Sequence, residues 1–195
     1  MRVTDYCVGE LSALDVAALI KLAKGARRIL EFGVGGSTTI WSQFAHDAKI
    51  TCVETNPEWV DKTRDMCCRL YCPAPTFLPF DGWRGHIGNR PWFDLVFIDS
   101  ISIPQRIEIA KETWDLVMPE GKMVWHDTHQ VGFGEDVFHF LAPRHLEVGK
   151  VERESAVTIV TKCVETLIGS TDTFEGRQGW ESGHAPLPAD WPRKR

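Results

Sequence analysis

No apolar run in this sequence is long enough to cross a bilayer, and the N-terminus lacks the basic, apolar and small-residue order of a secretory leader. A soluble cytoplasmic protein with no membrane partner is therefore expected. Positive charge is not in surplus either. The 22 Lys and Arg are outnumbered by 27 Asp and Glu, for a formal net charge of -5, which disfavours long nucleic acid as a partner. The basic end Arg193-Lys194-Arg195 reads as a solvated terminus. Paired cysteine spacings are missing as well. Of six cysteines, Cys67, Cys68 and Cys72 form a C-C-x-x-x-C group with no second pair to complete a zinc knuckle. Cys52 and Cys163 sit in apolar runs, where a reduced thiol behaves as a small hydrophobe. With 195 residues and 43% hydrophobic content, the chain suits one domain with a substantial core.

What is present is an alternation of helical and extended patterns. Residues 12–24 carry a helical apolar stripe, with Ser12 as cap, Asp15 in the capping-box position and Gly25 at the end. Extended runs follow at residues 28–32, 49–54, 76–78, 93–98 and 122–125. Helical segments at residues 37–45, 57–70 and 104–117 separate them, the second opened by Asn56-Pro57-Glu58. After Trp125 the rhythm changes. A short helix at 135–141 precedes two strands, at 145–148 and 156–161, joined by the polar residues 149–155. The pattern predicts an α/β fold: a Rossmann-like, doubly wound, mostly parallel seven-stranded sheet ending in an antiparallel strand pair. Residues 1–166 would form this domain. Residues 167–195, with Trp180 and Trp191, would be a flexible tail or an arm laid on this subunit or on a second copy in a homodimer.

The most informative stretch is Glu31-Phe-Gly-Val-Gly-Gly-Ser-Thr-Thr between the first strand and the next helix. Gly33, Gly35 and Gly36 would bare backbone N–H groups at a helix N-terminus, a setting that suits nucleosides and their phosphates. Glu54, at the tip of the second strand, is placed to accept hydrogen bonds from both hydroxyls of a ribose. The loop lacks the Gly-Lys-Ser/Thr ending of a phosphate-gripping loop. Glu31 would repel a pyrophosphate and tolerate a cation. A nucleoside without phosphates fits these residues best.

In order and spacing, "EFGVGGST", "CVETN", "FDLVFIDS" and "GKMVWHDT" resemble the class I S-adenosylmethionine-dependent methyltransferases, over roughly residues 12–161. The resemblance implies that S-adenosylmethionine is the cofactor. Gly33 and Gly35, with Ser37 beside them, would approach its methionine and ribose parts. Glu31 would lie near the methionine moiety and Glu54 would bind the ribose. Asp81, in "PFDGW", would contact adenine with Trp83 as its neighbour, although Trp83 equally suits ordinary packing.

Methyl transfer from a sulfonium is an in-line displacement, so groups serving the acceptor should gather at the carboxyl ends of the parallel strands. Asp99 follows the fourth strand, close enough to touch the cofactor too, and Asp127 follows the fifth, flanked by His126 and His129. The catechol and caffeoyl-CoA O-methyltransferase branch places metal-binding acids at these strand ends, which makes Asp99 and Asp127 candidate ligands for a divalent cation such as Mg2+. That branch usually has asparagine after the second acid, where this chain has Thr128. His126 or His129 could act as general base instead. Arg106, at the start of the helix after Asp99, reads as solvated surface, with steering of an acidic substrate as the alternative. The sequence has neither an Asn/Asp-Pro-Pro-Tyr motif nor a Pro-Cys nucleophile. A small molecule with an oxygen nucleophile remains as the expected acceptor. Two alternatives stay open: an NAD(P)-dependent oxidoreductase, and a non-catalytic nucleoside-binding or interaction protein that has kept the fold.

Overall fold

The computed structural model describes residues 11–88, 92–100, 102–130 and 132–163. The tail expected at 167–195 and Cys7 lie outside the described residues. Among the described residues fifteen elements follow one another, and the six α-helices and seven β-strands are numbered in that order. The strands are β1 (Arg28–Phe32), β2 (Lys49–Glu54), β3 (Thr76–Pro79), β4 (Phe93–Ile98), β5 (Val117–Trp125), β6 (Val148–Glu154) and β7 (Val157–Lys162). The helices are α1 (Ala13–Ala23), α2 (Gly36–Phe44), α3 (Pro57–Arg69), α4 (Trp83–Ile87), α5 (Ile103–Thr113) and α6 (Phe133–Leu141).

All seven strands form one sheet in the order β3-β2-β1-β4-β5-β7-β6. The first five run parallel, and β7 is antiparallel to both β5 and β6. The expected doubly wound sheet with its antiparallel end is therefore present. From β1 the chain steps outward through β2 to β3 and then returns to place β4 on the other side of β1. That reversal opens a crevice at the carboxyl ends of β1 and β4.

Residue alternation explains how both faces are covered. Leu30, Phe32, Val96 and Ile98 enter one apolar cluster with Trp114, Trp125 and Phe140. Ile29, Leu95 and Phe97 enter the other, with Val16, Leu19 and Trp41 of the N-terminal helices. Such strands read as almost continuous apolar runs because neither face meets water. Asp94 fixes the start of the pair: its Oδ2 accepts from the N–H groups of Arg27 and Arg28 at 2.8 and 2.7 Å.

Local signals set several boundaries. Ser12 and Asp15 form the reciprocal capping box on α1, and Asn56 accepts from Glu58 N ahead of Pro57 on α3. Several assignments differ from expectation, among them the strand expected at 145–148, most of which lies in a 3-10 turn over Ala142–Glu147. Strand β5 starts at Val117 and runs through Pro119 and Gly121, which had read as a helix stop. The polar residues 149–155 are mostly strand β6, because an edge strand needs no apolar face. Helix α4, a single turn in the Gly- and Trp-rich segment after β3, has no periodic signal at that length. No helix among the described residues is long and apolar enough to cross a membrane.

Candidate functional site

A crevice of about 460 Å³ opens where β1, β2, β4 and β5 end. Its floor is the glycine loop, Gly33 through Ser37, one flank is Glu54 with Trp59 and Phe80, and the other end holds Asp99, Arg106, His126 and Asp127. The volume lies within the usual 300–1,000 Å³ or so of small-molecule sites.

Helix α2 starts at Gly36, so its first N–H groups have no partner within the helix, and Gly35, Gly36 and Ser37 line the crevice. Gly33 has φ +85°. Its N–H donates to Val53 O at 3.0 Å while Asp99 N donates to Phe32 O at 2.8 Å, which locks the chain between β2 and β4. A Cβ on Gly33 would lie 2.3 Å from the Asp99 carbonyl oxygen. The glycine is thus required by the closeness of two strand ends as well as by any ligand above it.

The carboxylate of Glu54 is aimed from the tip of β2 toward this loop. Its Oε1 accepts from Thr55 N, Thr55 Oγ1 and Asn56 N at 2.7, 3.1 and 2.8 Å. Among the described residues its Oε2 accepts from Val34 N alone, at 3.1 Å. A carboxylate oxygen has two lone pairs, so Oε2 can still accept a ligand hydroxyl.

Glu31 lies elsewhere than expected. Strand alternation turns it to the α1–α3 face, where it is fully buried behind the loop rather than lining the crevice. Its Oε1 accepts from Ser37 Oγ and Trp41 Nε1 at 2.5 and 3.0 Å, and its Oε2 from Thr38 Oγ1 and Cys52 Sγ at 2.6 and 3.2 Å. It therefore shapes the start of α2 through Ser37 and Thr38. Burial pushes its pKa up from 4.5 to about 7, outweighing the four hydrogen bonds that favour the anion. Because the folded value exceeds the unfolded one, the stability this group contributes is complete below pH 4.5 and is lost as pH rises through about 7. Glu31→Gln, which mimics the protonated acid, is expected to show a flatter urea-unfolding stability over that window than the wild type. Parallel pH profiles for the two proteins would contradict the assignment.

The adenine contact expected of Asp81 is also corrected, and Trp83 takes the packing role that the sequence equally allowed. Asp81 is exposed and Trp83 is 3% exposed, and neither lines the crevice. Trp83 packs edge-on against Phe32 with ring centroids 5.0 Å apart, so its role is core packing. The aromatic residues that do face the crevice beside Glu54 are Phe80 and Trp59. Trp59 could have been found from its place in the first turn of the helix that follows the acid.

The opposite end is built by β4, β5 and α5. Asp99 and Asp127 come together there, as expected. Asp127 has φ +60°, a left-handed conformation that aspartate tolerates better than most residues. His126 joins them at 3% exposure, with Nδ1 3.3 Å from Asp99 Oδ2 and 3.4 Å from Asp127 Oδ1. Its Nε2 is 3.7 Å from Asp15 Oδ2 in α1. Burial alone would lower the His126 pKa, but the Asp99 carboxylate 3.3 Å from Nδ1, with the charges of Asp127 and Asp15, holds it above the ordinary value. Asp15 is held below its own ordinary value. Its burial is outweighed by hydrogen bonds from Ser12 and from Ala156 N.

His129 is exposed and off the crevice lining. The chain turns away at that point, because Thr128 N donates to Ala156 O at 3.0 Å and ties the segment to the β6–β7 turn. His129 is thus not placed to act as the base. Arg106, expected at the surface, is 7% exposed and sits between Asp99 and Asp127. Asp99, His126 and Asp127 offer donor atoms within 4.8 Å of one another, a spacing that a metal ion could use.

No protein-family model matches the sequence, and a search of curated proteins finds no match. Solved structures do match in fold. The O-methyltransferase TomG of Streptomyces achromogenes, involved in tomaymycin synthesis and solved with S-adenosylmethionine, has a TM-score of 0.63 at 18% identity, covering 79% of this chain and 82% of that one. The S-adenosylhomocysteine-bound methyltransferase PaMTH1 of Podospora anserina scores 0.63 at 18% identity, covering 79% and 80%. The O-methyltransferase of Bacillus cereus, also with S-adenosylhomocysteine, scores 0.63 at 16% identity, covering 80% and 83%. The chain has the fold of the class I S-adenosylmethionine-dependent methyltransferases.

Proposed function

We propose that this protein transfers the methyl group of S-adenosylmethionine to a small-molecule acceptor, at oxygen. The observation that carries the reading is the free lone pair of Glu54 Oε2 across the crevice from the acid–histidine cluster, with the bare loop of Gly33 and Gly35 between them. Glu54 would hold the ribose, Phe80 and Trp59 would flank the adenine, and the loop with Ser37 would receive the methionine part. Structural neighbours solved with this cofactor or its demethylated product support the same use of the fold.

The reaction itself asks little covalent work of the protein. A lone pair on the acceptor oxygen forms the new bond to the methyl carbon while the carbon–sulfur bond breaks and its electron pair returns to sulfur. The products are the methyl ether and S-adenosylhomocysteine. The hydroxyl proton passes to a carboxylate oxygen of Asp99, the more exposed acid of the cluster, and the crevice aligns the reacting atoms and excludes water.

Calorimetry with S-adenosylhomocysteine tests the reading. The wild type is expected to bind, and Glu54→Ala to bind about 10- to 100-fold more weakly, the scale of hydrogen bonds to a charged group. Asp81→Ala is expected to bind as the wild type does. Equal affinity in wild type and Glu54→Ala would remove the ribose assignment.

A further inference from the structure

We infer that Arg106 supplies the positive charge at the acceptor end of the crevice and takes the place of a divalent cation, so that this chain works without a metal. The inference rests on the reading of that end as the acceptor side of a methyl-transfer site. Its basis is the pairing of individual oxygens. Asp99 Oδ1 lies 2.9 Å from Arg106 Nη2, and Asp99 Oδ2 lies 3.3 Å from His126 Nδ1. Asp127 Oδ2 lies 3.4 Å from Arg106 Nη1, and Asp127 Oδ1 lies 3.4 Å from His126 Nδ1. All four carboxylate oxygens thus face a nitrogen of this chain, in a closed ring of two acids, one guanidinium and one imidazole.

The guanidinium is anchored from behind. Arg106 Nε donates to Ser100 O at 2.7 Å and Nη1 donates to His126 O at 2.9 Å, while the Phe133 ring lies 5.6 Å from its Cζ. Swinging the side chain out would leave two buried carbonyls unsatisfied, so it does not step aside as a flexible surface arginine would. A hard divalent cation needs several free oxygens at about 2.0–2.6 Å and would sit against a fixed positive charge. The third donor that an asparagine could offer is also missing. Thr128 Oγ1 donates to Ala156 O at 3.1 Å and accepts from Thr158 Oγ1 at 2.9 Å, facing β7. The space between the two acids, which a metal would occupy, therefore already holds a fixed positive charge.

The test is direct binding of Mn2+ to the wild-type protein, read by electron paramagnetic resonance of the free ion, beside calorimetry of S-adenosylhomocysteine in EDTA and in Mg2+. The expected result is no stoichiometric Mn2+ site at millimolar metal and the same nucleoside affinity in both buffers. A one-to-one Mn2+ site that disappears in Asp99→Asn or in Asp127→Asn would overturn the inference. A site that both variants retain lies elsewhere and upholds it. Because the metal titration needs no nucleoside, failure of S-adenosylhomocysteine to bind would count against the proposed function alone.

Discussion

Gly33→Ala is expected to lower the thermal midpoint by about 4–20 °C, from a loss of roughly 2–5 kcal/mol. Two effects add. The residue holds φ +85°, where an alanine is strained by about 1–2 kcal/mol. Its Cβ would also meet Asp99 O at 2.3 Å and Asp99 C at 2.9 Å, both backbone atoms that no rotamer change can move aside. Relief requires β1 and β4 to separate at their ends, which strains the hydrogen bonds from Gly33 N to Val53 O and from Asp99 N to Phe32 O. Differential scanning calorimetry reads the shift. A midpoint equal to the wild type's would mean that the two strand ends are not held this close.

The second large effect belongs to Arg106. Arg106→Met keeps the apolar stem and removes the charge, leaving Asp99 and Asp127 facing each other at side-chain exposures of 27% and 13%. Breaking a buried ion pair from one side destabilises by about 3–5 kcal/mol, and the partial exposure of Asp99 puts this case toward the lower end. Adding Asp127→Asn to the Met variant removes one of the stranded charges. It is expected to restore at least about 1 kcal/mol, the sign of coupling between residues in one network. Urea unfolding of the wild type, both singles and the double gives the cycle. A single variant within about 0.5 kcal/mol of the wild type would mean that Arg106 is an ordinary surface arginine.

The contrast between these two residues shows what a sequence reveals. Gly33 stands out because a strand that ends in glycines before a helix is a local pattern, and Glu54 stands out for the same reason at the tip of the next strand. The mostly parallel sheet follows from the alternation of strands and helices, and its antiparallel end from the lack of a long helix between the last two strands. Arg106 gives no local signal. It sits between Gln105 and Ile107 near the start of a helix, and its burial is decided by β5 lying next to β4, which brings His126 O from 20 residues away onto its Nη1. Glu31 lies off its expected place, and Trp83 takes the packing alternative over the adenine one, for a related reason. In each case the neighbouring glycines point to a ligand, while strand alternation and the single turn of α4 turn the side chain into the core. His129 looked equivalent to His126 by spacing. The hydrogen bonds of Thr128 to Ala156, which separate the two, depend on where β7 returns to the sheet.

The most direct test of the central claim is a crystal structure of the protein with S-adenosylhomocysteine. The expected result is the nucleoside lying across the glycine loop, its ribose hydroxyls on the Glu54 carboxylate and its sulfur turned toward Asp99 and Asp127. A nucleoside bound elsewhere, or a ribose that leaves Glu54 untouched, would contradict the account.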